Sequence, residues 1–481
     1  MWRASIGAAW CGAVIACAAP KSEPSLELTS CRLDPTGVEA RCGTLRVFED
    51  REGGAGRELE LRVAVLPALG GSPEPDPLFL LVGGPGQAAT EAGPQILERL
   101  GEIRQRRDVV LVDQRGTGSS HPLDCKEDDS EPLSRRFAPT LDLAETRACL
   151  GALDADTTRY VTSIAMDDLD DVRHRLGYEQ LNLWGGSYGT RAALVYYRQH
   201  PERVRSLILD GAAPPSIELQ LLIPKQAQRA LDFALADCEK DDACRDAFPD
   251  ARQALSLLFE DLAKAPRTLT LPHPRTHRPE ELRIDRTGLA LAVLQALYVP
   301  DLTRLLPLAV DRARSGDFGP WVAMTGAFSE SLGLSSGMFL SVVCAEDIRR
   351  IPSEKVRDMT AGTFLGGDLL DRMRAQCAEW PSAALPESYF APVSGGVAAL
   401  ILSGDADPVT PPEWGEIAAR ELPASRHVVV RGAAHGVSVV GCVPTLIAKF
   451  LETRDAAGLD LSCLERSARP AFFTSLAGPK P

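Results

Sequence analysis

The sequence predicts an α/β protein: a mostly parallel sheet with helices on both faces, interrupted by a helical cap insertion. Three observations lead there. Short apolar runs at residues 78–82, 108–112, 181–184 and 204–209 alternate with helical patterns, as in a parallel sheet covered on both sides. The rhythm stops between about 216 and 389, where the pattern is mostly helical. It then resumes with a strand at 397–402, a helix at 412–422, a strand at 428–430 and a helix at 444–452. One α/β unit carrying an insertion explains this better than three domains in series, although 481 residues would hold either.

In order along the chain, residues 62–66 alternate apolar and polar as a half-buried strand does. The run at 78–82 reads as a buried strand ended by Gly83, Gly84, Pro85 and Gly86. Ile96, Leu100 and Ile103 fall at helical spacing within 93–107. The strand at 108–112 ends in DQRGTGSS. Residues 167–176 read as a helix with acidic residues at its start, which suits the helix dipole. A strand at 181–184, a helix at 188–199 and a strand at 204–209 follow. The insertion predicts helices at 219–238, 251–263 and 287–314. It is expected to leave and re-enter the sheet at strand carboxyl ends, where open α/β sheets place their ligand crevice, and so to cover the site. The expected units are a leader over 1–19, a first core part over 31–215, the cap over 216–389 and a second core part over 390–470.

The net charge is −14, and no long basic tract offsets it. Such a surface repels phosphate backbones, so nucleic acid is not an expected partner. The 12 cysteines include no C-x-x-C pair, and no metal motif is present, so no metal or cofactor is expected. The N-terminus explains the cysteines better. Arg3, an apolar run over 6–19 and then Pro20 have the form of a signal peptide too short to span a membrane. Val14, Ile15, Ala16 and Cys17 resemble a lipobox, in which Cys17 is lipidated and anchors the exported protein to a membrane. Ordinary cleavage near Ala19 is the other reading. Cys31, Cys42, Cys125, Cys149, Cys238, Cys244, Cys344, Cys377, Cys442 and Cys463 remain, an even number suited to disulfides in an exported chain. They fall into sequential neighbours, and the expected pairs are 31–42, 125–149, 238–244, 344–377 and 442–463.

Gly185, Gly186, Ser187, Tyr188 and Gly189 form G-x-S-x-G between a predicted strand and a predicted helix, the context of a nucleophile elbow. A serine hydroxyl needs a base beside it. Chain order in this architecture is serine, acid, histidine, which sets aside His121 and His174. His200 ends the elbow helix, His273 and His277 lie in the insertion, and His427 starts its strand at the wrong sheet edge. His435 follows that strand after Gly432, Ala433 and Ala434, and is the expected base. Asp405 and Asp407 both follow the strand ending at Leu402; Asp407, with Pro408 after it, is the preferred acid and Asp210 the runner-up. The Tyr188 and Gly84 amides are the expected oxyanion donors.

Together, GGPG at Gly83, DQRGTGSS at Asp113, GGSYG at Gly185, DADPVTPP at Asp405 and GAAHG at Gly432 resemble an α/β-hydrolase of the prolyl and tripeptidyl aminopeptidase group. The resemblance runs from about Cys42 to Cys463. It implies Ser187, Asp407 and His435 as a catalytic triad, with Gly84 and Tyr188 as the oxyanion amides. One departure is Val82, where prolyl relatives often carry histidine. Cys344, Ala345, Glu346 and Asp347 resemble a cap segment of the tripeptidyl relatives, which implies Glu346 as the carboxylate receiving a peptide's free amine. The implied activity is an exported serine exopeptidase acting on peptides with a free N-terminus. A carboxylesterase using the same triad is the alternative, and a non-catalytic binding protein the remote one.

Overall fold

The computed structural model describes residues 25–125, 137–139, 141–273, 277–329 and 333–480; the leader and Cys17 lie outside them. A nine-stranded sheet has the order β1-β2-β3-β5-β4-β6-β7-β10-β11. Its N-terminal edge is antiparallel: β1 (Thr29–Leu33), β2 (Val38–Phe48) and β3 (Glu58–Leu66), with β3 also antiparallel to β5 (Val109–Val112). From β5 onward the pairs are parallel, through β4 (Leu78–Leu81), β6 (Leu181–Gly186), β7 (Val204–Asp210), β10 (Ala398–Gly404) and β11 (Ser425–Val430). β4 and β5 are buried along their whole length, as strands covered on both faces are.

Helices α1 (Ala89–Arg99), α2 (Thr162–Arg175) and α3 (Tyr188–Gln199) belong to the first core part. The helix expected over 93–107 is shorter and earlier, with a separate 3-10 turn at Ile103–Gln105. α2 starts five residues before its expected place and has no acid in its first turn; Asp168 and Asp171 instead bind arginines of other segments. Asp168, fully buried, takes Arg115 at 2.7 and 2.8 Å. The DQRGTGSS segment is therefore a structural tie: Arg115 also donates to the Glu49 and Phe48 carbonyls.

Between β7 and β10 the chain forms the cap, which includes α4 (Leu219–Lys240), α5 (Arg286–Tyr298) and α6 (Ser336–Glu346). A hairpin of β8 (Arg267–Pro272) and β9 (Pro279–Ile284) interrupts the helices, which the sequence reading had not separated from them. The single helix expected over 287–314 is broken into three at Val299 and Leu305. Val299 is extended before Pro300, as the proline ring requires of its predecessor.

The cap leaves the sheet at the carboxyl end of β7 as expected, but its return corrects the expectation. β10 runs parallel to β7, so the chain must re-enter at the amino end of the strands, not at the carboxyl end. It descends beside α3, where Arg198 donates to the Tyr389 and Ala391 carbonyls at 2.6 Å each. α7 (Pro412–Glu421) and α8 (Val443–Thr453) complete the core. Disulfides join Cys31–Cys42, Cys125–Cys149, Cys238–Cys244, Cys344–Cys377 and Cys442–Cys463, the pairing of sequential neighbours expected from the sequence. Among the described residues no helix is long and apolar enough to cross a membrane.

Candidate active site

Ser187 sits between the end of β6 and the start of α3 with φ 55° and ψ −123°, a backbone state that L-residues hold only when their surroundings impose it. The flanking glycines are required by close approach. A Cβ at Gly185 would run into the Gly189 carbonyl, and one at Gly189 into the Leu81 carbonyl of β4. The turn is held from both sides: the Ser187 N–H donates to the Asp210 carbonyl at 2.8 Å, and Thr190 Oγ1 donates to the Ser187 carbonyl at 2.6 Å. Tyr188 opens α3, where first-turn N–H groups have no intrahelical acceptor.

The loop after β4 passes close beside this turn. A Cβ on Gly83 would stand 3.3 Å from that of Ser187. The Gly83 N–H is taken by Gln87 Oε1 at 3.0 Å. Gly84 has φ 107°, open to glycine and strained for other residues. Both glycines line the same cavity as Ser187.

His435 follows β11 and lines that cavity too. Its Nδ1 lies 2.8 Å from Asp407 Oδ2 and 3.1 Å from Thr410 Oγ1. The Tyr298 carbonyl of the cap accepts its backbone N–H at 3.3 Å, and the Tyr298 ring meets the imidazole edge to face. Asp407 is fully buried; its Oδ1 accepts the Val409 and Thr410 N–H groups, each at 2.8 Å, and its Oδ2 the Thr410 hydroxyl at 2.7 Å. Burial opposes its charge, but His435 and these donors outweigh it and hold the carboxyl below its usual range. Burial likewise opposes an imidazolium, yet Asp407 and then Asp210 hold His435 above its ordinary pKa. Arg229 of α4 donates to the carbonyls of Asp405 and Asp407 at 2.8 Å each, so a cap helix clasps the loop that carries both aspartates.

The competing aspartates are occupied elsewhere. Asp405 accepts the Gly432 N–H at 2.9 Å. Asp210 accepts the Val437 and Ser438 N–H groups at 2.9 and 2.7 Å. Sequence reasoning had ranked Asp210 only as a rival acid and missed this second task; its place directly before Gly211 at a strand end was the available signal.

Glu346 corrects an expectation. It is fully buried and lies outside the lining of the Ser187 cavity. Its carboxylate accepts the Thr162 N–H at 2.9 Å and the Tyr389 hydroxyl at 2.6 Å, with Arg191 at 3.6 Å. Arg191 is in turn bound by Asp347 at 3.0 and 3.3 Å. The pair of acids thus anchors α6 of the cap to α3 of the elbow. A carboxylate whose oxygens already hold three partners, with no open face, is not placed to receive a substrate's amine.

The cavity measures about 550 Å³. Ser187, His435, Gly84 and Trp184 of the core face Leu291, Leu294 and Tyr298 of α5 across it. Among the described residues no group of three or more metal-ligating side chains occurs.

Two family models match: one described as alpha/beta hydrolase fold over residues 76–293, and one described as TAP-like protein over residues 363–463. The chain is 27% identical to the Serine protease Hip1 of Mycobacterium tuberculosis, over 90% of this chain and 90% of that protein. It is 30% identical to the Proline iminopeptidase of Neisseria gonorrhoeae, over 29% of this chain and 34% of that protein. Among solved structures, the Proline iminopeptidase of Mycobacterium smegmatis aligns with a TM-score of 0.39 at 16% identity, covering 87% of this chain and 100% of that one.

Proposed function

We propose that this chain, an α/β-hydrolase and a serine hydrolase, is an exopeptidase that removes short peptides from a free N-terminus through an acyl-enzyme on Ser187. The observation that carries the reading is the joint placement of Ser187, His435 and Gly84 around one cavity, with Asp407 bonded behind the imidazole at 2.8 Å.

In this mechanism His435 takes the Ser187 proton as the hydroxyl oxygen attacks the scissile carbonyl. Asp407 holds the imidazole's orientation and stabilises the imidazolium that forms. The Tyr188 and Gly84 N–H groups receive the oxyanion, a contribution worth roughly 3–4 kcal/mol per donor in comparable sites. The imidazolium then protonates the departing amine, and water activated by His435 releases the acyl half. The relatives, named as a serine protease and a proline iminopeptidase, support peptides over other acyl substrates. The apolar cavity favours a second reading, carboxylesterase, because an acyl chain would also fit it.

Comparing one peptide with a free and with an acetylated N-terminus tests the exopeptidase reading. Preference for the free amine is expected, and equal cleavage puts the esterase first. Ser187→Ala, which should abolish both turnover and fluorophosphonate labelling, serves as the control. Export, supported by the leader and by five disulfides, and anchoring through Cys17 belong to the same proposal. The mass of the native N-terminal peptide tests the anchor; an unmodified N-terminus near Pro20 rules it out.

A further inference from the structure

Helix α5 turns one face to the cavity, with Leu291, Leu294, Gln295 and Tyr298 at positions i, i+3, i+4 and i+7. Three of these extend the apolar wall formed by Trp184, Leu334 and Phe339. Gln295 is the exception. Its Oε1 is buried with no hydrogen-bond partner, and among the described atoms in that condition it alone belongs to this cavity's wall. A buried carbonyl left unpaired costs free energy that a bound donor would recover. The other carboxyl or amide acceptors of the wall are already engaged: Asp210 by Val437 and Ser438, Gln87 by Gly83.

We propose that Gln295 is a specificity-determining residue, its amide oxygen accepting an N–H of the acyl half of a peptide while the surrounding wall receives that half's apolar side chains. This rests on the exopeptidase reading and deepens it. A simple acyl ester fills the apolar wall but carries no donor, so Gln295 separates peptides from esters within one cavity. The preferred substrate is then a peptide with a bulky apolar residue at the scissile bond and an unsubstituted amide N–H behind it.

The test is a cycle between enzyme and substrate. The probes are a free-amine tripeptide aminomethylcoumarin with leucine at the scissile residue, the same peptide N-methylated singly at each internal amide, and p-nitrophenyl butyrate. Gln295→Met keeps side-chain length and removes the acceptor. It should lower kcat/KM for the parent peptide about tenfold, the scale of one lost hydrogen bond, and leave the butyrate ester within about twofold. Methylation at one amide should cost the wild-type enzyme a similar factor and cost Gln295→Met almost nothing. If the variant does not fold, the methyl scan on the wild-type enzyme still decides: no sensitive amide overturns the proposal. Losses that multiply independently, or equal losses on peptide and ester, also overturn it while leaving the exopeptidase reading intact. A wild-type enzyme that hydrolyses the ester and none of the peptides overturns both.

Discussion

Asp210 holds Ser187 through its backbone and the histidine loop through its side chain. The carbonyl accepts the Ser187 N–H at 2.8 Å, and the carboxylate accepts the N–H groups of Val437 and Ser438, two and three residues beyond His435. One residue at the end of β7 thereby sets the spacing between Ser187 and the His435 loop. Asp210→Asn replaces an acceptor with an N–H₂ that would face a backbone donor. The loss of one charge-assisted bond is worth about 1.5–3 kcal/mol, so kcat should fall at least about tenfold with KM little changed. Because Asp210 also raises the His435 pKa, the acid limb of kcat/KM should move to lower pH. A drop in rate with an unmoved limb would mean that the residue is only a loop tie.

The wild-type pH profile follows from the same groups. His435 faces Asp407 and Thr410 from the loop after β10, Asp210 from β7 and Tyr298 from α5. Its pKa is raised, so the neutral base is lost as pH falls through a value above 6.5. Activity should therefore rise through the neutral range and reach its plateau on the alkaline side. A limb centred well below 6.5 in kcat/KM contradicts this placement.

Asp407 and Asp405 differ by what their carboxylates touch. Asp407→Asn should cost several orders of magnitude in kcat, because the amide cannot hold the productive imidazole tautomer. Asp405→Asn disturbs one backbone bond, to Gly432, and should cost less than about tenfold. Steady-state kinetics of the two variants would expose a reversed order at once.

Glu346→Gln should leave KM for free-amine peptides nearly unchanged, since the carboxylate lies outside the cavity. Its effect should appear in thermal unfolding. The substitution removes a charged acceptor from Thr162, Tyr389 and Arg191, a change of roughly 1.5–3 kcal/mol. A strong rise in KM with an unaltered melting temperature would restore the amine-binding role.

The site was legible in the sequence wherever local backbone demands show in residue type. Ser187 needs glycines two positions away on each side, and His435 follows three small residues at a strand end. The disulfides join near neighbours, so proximity along the chain predicted them. Val299 before Pro300 is an equally local signal of a helix boundary, yet the apolar pattern over 287–314 is continuous and predicts one helix. β2 carries an equally clear alternation, with Ala40, Cys42, Leu45 and Val47 inward and Glu39, Arg41 and Arg46 outward, so this strand too was legible in the sequence.

The α/β-hydrolase fold class was thus determined by the sequence alone, as were the candidate residues that the structure brings to one cavity, because strand–turn–helix order and glycine placement are local properties. The roles of Glu346 and Asp210 were decided only by tertiary structure. α6, SGMFLSVVCAE, is apolar nearly all round, so no periodicity told which way Glu346 faces. Packing against Thr162, Tyr389 and Arg191 decided it, and a carboxylate buried there is stable only if paired. Asp210 lies 227 residues before Val437 and 228 before Ser438; only the alignment of β7 beside β10 brings it to their amides. The orphaned oxygen of Gln295 is likewise invisible in sequence, since an unpaired acceptor is defined by what the folded chain fails to place beside it.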